Sequence, residues 1–180
     1  MVMQKKKVFV AMSGGVDSSV AALLLRDEGY DVVGIFMQGW RNPRFECTWK
    51  EDRQDAARVA AVLDIPFRVL DFGKEYHEHV VSYLIDEYKN GRTPNPDVQC
   101  NSEIKFKVFL DLAQKRGAEK IATGHYAQVH EDREGFFHLL KGKDSNKDQS
   151  YFLAGLNQKQ LSTSVFPVGN LTKSQVRALA

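Results

Sequence analysis

The chain has 180 residues, 43% of them hydrophobic, with 25 Lys and Arg against 23 Asp and Glu for a net charge of +2. That length fits one domain or one domain with the start of another, its apolar content can fill a core, and its near-balanced charge does not by itself mark a nucleic-acid binder. Two cysteines, Cys47 and Cys100, exclude a disulfide scaffold and suit a reducing cytoplasm; no apolar run can span a membrane, and the basic start leads into a short strand instead of a signal-peptide core.

In chain order, Val8-Phe9-Val10-Ala11-Met12 is a short apolar run that reads as a buried parallel strand. Val16, Val20, Leu23 and Leu24 then recur at the spacing of one helix face, ending at Gly29. Between them lies Ser13-Gly14-Gly15-Val16-Asp17-Ser18-Ser19. Two glycines let the backbone turn sharply and approach a ligand. The first helical amides lack intrahelical partners and sit at the positive end of the helix dipole. With three serine hydroxyls, this is an anion site suited to phosphate or pyrophosphate. It lacks the Gly-Lys-Ser/Thr of a Walker loop and the third glycine of the dinucleotide fingerprint. It resembles the PP-loop of ATP pyrophosphatases, which cleave ATP between the α and β phosphates.

Residues 32–37 form a second strand, with Met37 at its ligand edge where a backbone group could read a base, followed by a long loop over 38–50. A helix is expected over about 51–63, a strand over 67–70, and a helix over about 74–90 with Val80, Val81, Leu84, Ile85 and Tyr88 inward. His77 and His79, two apart, face different ways and make a poor metal pair. In Thr93-Pro94-Asn95-Pro96-Asp97-Val98-Gln99-Cys100-Asn101, the two prolines stiffen a connector and exclude helix. The same stretch sets Asp97 three residues before Cys100, at the expected N-terminus of the next helix with Lys105 nearby. That setting favours thiolate, with Asp97 able to move a proton, although a lone cysteine also serves as a small core residue. A fourth strand over 120–125 ends in Gly124-His125-Tyr126, where Gly124 would let a ring or ribose approach and His125 could bond a phosphate or stack on a base. A hairpin over 128–140, a polar stretch over 141–150 with three lysines, a short helix near Phe152, a turn at 166–169 and a capping box at Thr172 and Gln175 complete the pattern. The last helix is cut at Ala180 after barely two turns, so the chain reads as a truncated piece.

Taken together, Ser13 to Ser19, Phe36-Met37, the Asn-Pro-Asp-x-x-Cys-Asn block at 95–101, Ile104-Lys105-Phe106, Ala122 to Tyr126 and Lys147 to Leu153 resemble the tRNA-specific 2-thiouridylase (MnmA/TrmU) family, in order and over nearly the whole chain. The resemblance implies an α/β fold, a Rossmann-like (adenine nucleotide alpha hydrolase-like) parallel sheet with helices on both faces. It implies a core over about 1–142, with 143–180 beginning a helical tRNA-binding region. ATP would be held by Ala11, Met12, Ser13, Gly14, Gly15, Val16, Asp17, Ser18, Met37 and Gly124, with Mg²⁺ on its phosphates and Asp17 as a candidate ligand. Asn95, Pro96 and Asp97 would contact a flipped wobble uridine, and His125, Lys147, Asp148 and Gln149 would touch tRNA. Cys100 would be catalytic, pairing in a disulfide with a second, persulfide-bearing cysteine as sulfur arrives from a donor protein. That second cysteine lies downstream of this sequence, so the chain alone is expected to bind ATP and fall short of sulfur transfer. Two other readings share the PP-loop: a ligase or amidotransferase acting on a small substrate, and a non-catalytic ATP-binding fragment.

Overall fold

The computed structural model describes residues 5–41 and 49–180; Cys47 and most of the long loop expected after Met37 lie outside the described residues. Five parallel strands form the central sheet in the order β3-β2-β1-β4-β7: β1 is Lys7–Ala11, β2 Asp31–Gln38, β3 Phe67–Asp71, β4 Lys120–Ala122 and β7 Ser164–Val165. A separate antiparallel hairpin pairs β5, Ala127–Glu131, with β6, Phe137–Lys141. Period-two alternation along β1 splits the core. Val8, Val10 and Met12 pack on one face with Val20, Ala21 and Leu25 of α1 (Val16–Asp27) and Ala56 and Ala60 of α2 (Trp49–Val62). Phe9 packs on the other face with Ile35, Val80, Ile104, Phe106 and Phe109. The sheet is therefore covered by helices on both sides, as expected.

On that second face, α3 (Gly73–Tyr76), a π-helical turn (His77–Val81) and α4 (Ser82–Lys89) follow one another. Val80 is fully buried, but Ile85 and Tyr88, expected inward, are exposed. His77 is exposed and sits against the Trp40 ring at 5.3 Å, while the His79 carbonyl accepts from Gln99. A helix also begins inside the proline stretch. Pro96 is the first residue of α5 (Pro96–Gln99), where its missing N–H loses nothing, and the Asn95 side chain caps it by accepting from the amides of Asp97 and Val98. A π-helical stretch, Cys100–Val108, and then α6, Phe109–Lys115, continue with helical dihedrals at each junction. Cys100 is thus one turn inside a helix, not at its N-terminus.

The segment after residue 142, expected to start a new region, returns to the sheet. A 3₁₀ turn at Ser150–Leu153 buries Leu153, and α7 (Gln158–Ser162) leads into β7, which pairs with β4. After a second 3₁₀ turn, Pro167–Asn170, α8 (Lys173–Leu179) starts from the expected Thr172–Gln175 capping box. Val168 and Val176 join the same core as β1 and α1.

Candidate active site

In an open parallel sheet, ligands bind beyond the carboxyl ends of the strands where the strand order reverses. Here that point lies between β1 and β4, and the loops leaving both strands meet there. Gly14 takes a left-handed φ of +83°, and a Cβ on it would fall 2.4 Å from the Asp52 carbonyl oxygen of α2. Gly15 caps α1 with no side-chain bond to the first-turn amides. Ser13 and Ser18 brace the loop: the Ser13 amide donates to Ser18 Oγ at 3.1 Å, and Ser18 Oγ donates to the Gly15 carbonyl at 3.0 Å. Uncapped helical amides beside a braced glycine turn fit a phosphate group.

Asp17 is the loop's carboxylate. Its Oδ1 accepts from the Tyr126 hydroxyl at 2.8 Å and from Lys173 Nζ of α8 at 2.5 Å. Burial and that bond push the Tyr126 hydroxyl well above its ordinary range. Gly124 closes against the same turn, since a Cβ there would lie 2.7 Å from the Asp17 carbonyl carbon and the Ser18 amide nitrogen. Its lack of a side chain, read from sequence as room for a ligand, is taken up by the contact between the end of β4 and the start of α1.

These elements frame a cleft of about 440 Å³. Among the sequence-predicted residues, Ala11, Met12, Ser13, Asp17, Ser18, Met37, Gly124, His125 and Gln149 line it. Gly14 and Val16 instead line a groove between α1 and α2. Asn95, Pro96, Asp97, Lys147 and Asp148 do not line the cleft. Trp49, Asp52 and Lys105 do, although the sequence reading gave them no nucleotide-site role. Asp17 and Asp52 are the cleft's carboxylates, the hard oxygen donors that Mg²⁺ takes, and would face a metal carried on bound phosphates. Among the described residues no cluster of three or more His, Cys, Asp or Glu could hold a metal on its own.

His125 lies against Phe106 and Phe166, with ring centroids 6.1 and 6.3 Å away, and its Nδ1 is 2.8 Å from Thr123 Oγ1. Desolvation, reinforced by the Lys105 charge, pushes its pKa down to about 3, so the ring is neutral at physiological pH. Gln149 is tied to Tyr126 twice, its side-chain oxygen accepting from the Tyr126 amide and its own amide donating to the Tyr126 carbonyl. Asp148 is spent within its loop: Oδ1 accepts from the Gly142 and Ser150 amides and Oδ2 from the Ser150 hydroxyl. Burial acts to raise its pKa, but these donors outweigh it and hold the carboxyl low.

Beside the cleft lies a second cavity of about 320 Å³, which contains Cys100. The two share Phe36, Met37, Trp49 and Lys105. Cys100 is a free thiol whose pKa burial pushes up; Lys105 opposes the rise and Asp97 adds to it. The net direction is toward thiol, opposite to the sequence expectation, because the thiol is buried one turn past the helix start and desolvation outweighs Lys105.

No helix among the described residues is long and apolar enough to cross a membrane. The chain is 59% identical over 180 residues to the tRNA-specific 2-thiouridylase MnmA of Nitrosomonas europaea, covering 99% of this chain and 49% of that protein. The MnmA of Ligilactobacillus salivarius is 56% identical over 176 residues, covering 97% and 47%. The chain thus spans about half the length of the curated relatives it matches. A 4-thiouridine synthetase–RNA complex with bound ATP has a similar fold, with a TM-score of 0.62 at 15% identity over 97% of this chain and 41% of that one. So does the U34-tRNA thiolase NcsA of Methanococcus maripaludis, with a TM-score of 0.58 at 19% identity over 99% of this chain and 57% of that one. From residue 6 to residue 180 the sequence matches the tRNA methyl transferase HUP domain, and the chain belongs to that family.

Proposed function

We propose that this chain is the ATP-using part of an enzyme that thiolates uridine in tRNA at C2. The observation that carries the reading is the adjacency of the cleft at the Ser13–Ser18 loop to the cavity holding Cys100, across a wall they share. The MnmA relatives favour tRNA over a small acid as the substrate. ATP supplies an activated α-phosphoryl group that makes the uridine C2 oxygen a leaving group, which sulfur then replaces. The first-turn amides of α1 bind phosphate, while Met37 and the end of β4 flank the rest of the nucleotide. Asn95, Pro96 and Asp97, exposed or half-buried at the start of the Cys100 helix, meet the flipped base. Lys147, exposed on its loop, Asp148, Gln149 and His125 form the RNA-facing edge. Sulfur delivery needs a persulfide donor and a second cysteine, with which Cys100 forms a transient disulfide.

The test is AMP release from ATP–Mg²⁺ with and without tRNA lacking the modification. tRNA-dependent AMP is expected, and Asp17→Asn should lower it at least about tenfold with the far-UV circular dichroism unchanged. AMP formed equally well without tRNA would overturn the reading in favour of a small-substrate ligase.

A further inference from the structure

Lys105 is the charged residue common to the nucleotide cleft and the Cys100 cavity. Its place follows from the helix. In an α-helix, residues five apart are rotated by about 140°. The π-helical stretch Cys100–Val108, with its wider i→i+5 turn, brings the fifth residue back toward the face of the first. Ile104 and Phe106, buried on either side of Lys105, hold that register. Other lysines in this part of the molecule are paired, Lys107 with Glu103 and Lys173 with Asp17. Among the described residues Lys105 forms no ion pair within 4.0 Å. A half-buried ammonium without a counter-ion is a site for an anion.

We propose that Lys105 serves two anions in turn: the α-phosphoryl group of the bound nucleotide, and the Cys100 thiolate once that nucleotide has left. This rests on the nucleotide reading above. Among the described residues, the charged and titratable groups around Cys100 are Asp97 on its own helix, Tyr76 from α3, Arg41 from the segment after β2, and Lys105. Asp97 disfavours the thiolate and Lys105 favours it. While a phosphoryl group neutralises Lys105, nothing opposes the burial and Asp97 that hold Cys100 as a thiol; departure of AMP frees the ammonium, which offsets part of that cost and enlarges the thiolate fraction. The residue thereby orders the two half-reactions, holding the thiol inert until the adenylate has been displaced.

The experiment follows alkylation of Cys100 by iodoacetamide against pH in this chain, read by mass spectrometry of the Cys100 peptide so that Cys47 does not interfere. Wild type, Lys105→Gln and Lys105→Arg are compared with and without AMP. Lys105→Gln should move the alkylation midpoint up by about one pH unit, a tenfold loss of thiolate below it, and weaken AMP binding about tenfold or more. Lys105→Arg should retain most of both. Saturating AMP should raise the wild-type midpoint toward that of Lys105→Gln and leave Lys105→Gln unmoved. Superimposed profiles and equal AMP affinity in wild type and Lys105→Gln overturn the role of Lys105. A wild-type chain that binds no AMP overturns the nucleotide reading and the first half of the proposal with it. The nucleotide-free profiles still report the thiolate contact, so the two failures are distinguishable.

Discussion

Gly124→Ala isolates the contact on which the cleft is built. The φ of Gly124 is not left-handed, so an added methyl strains nothing in its own backbone. What it meets is the Asp17 carbonyl carbon and the Ser18 amide nitrogen, both at 2.7 Å. These are backbone atoms and cannot rotate away. Restoring ordinary contact requires the end of β4 and the first turn of α1 to separate by roughly 0.7 Å, and overpacking of this kind costs about 1–3 kcal/mol. Backbone on both sides puts the expected loss at the upper end, about 2–3 kcal/mol, or about 5–10 °C in Tm for a chain of this size. The displaced amides are the proposed phosphate donors, so ATP affinity should fall with stability. Gly91→Ala is the control: it has φ +70° and nothing within 4 Å of an added Cβ, and should cost about 1 kcal/mol of backbone strain while leaving ATP binding alone. Urea denaturation and equilibrium ATP binding on both variants decide the matter. Gly124→Ala with wild-type midpoint and affinity would refute the claim that the absent side chain joins β4 to the loop.

Two further outcomes follow from the charges around the cleft. His125 is depressed to about 3 in the folded chain, against about 6.5 unfolded, so the unfolded state takes up a proton that the native state refuses as pH falls through 6.5. Stability should drop by about 2 kcal/mol between pH 7.5 and 5, and His125→Gln should flatten that slope in urea titrations; an unchanged slope would show that the ring is not held neutral. Lys173→Met leaves Asp17 with Tyr126 alone. The pair is 21% and 34% exposed, so solvent screening limits the expected loss to about 1 kcal/mol, and the gap from wild type should narrow in high salt.

What the sequence disclosed was local. Strand, glycine turn and helix face at residues 8–24 are written in consecutive residues, as are the hairpin turn at Asp132–Gly135 and the Thr172–Gln175 box, and each formed as expected. Pro96 misled because proline excludes helix everywhere except its first turn, and the Asn95 cap that marks such a start was not weighed. Strand β7 has two residues and no periodicity to detect. The π-helical register of Cys100–Val108 leaves no compositional trace, so Lys105 reads in sequence merely as a charge near a thiol. Burial of Cys100 and the partners of Asp17 depend on residues far away along the chain, which no spacing rule reaches. Asp148 adds a local device that composition does not announce: its carboxylate accepts from the Gly142 and Ser150 amides and so fixes the loop.

The bond between Asp17 and Lys173 joins residues 156 apart in sequence. A ribosome delivers these two groups in order, the glycine turn early and its lysine near the end of this stretch, and nascent chains take shape as they emerge. Closure of such a long loop is slow compared with formation of β1 and α1. The glycine turn is therefore made well before the lysine that completes its set of neighbours.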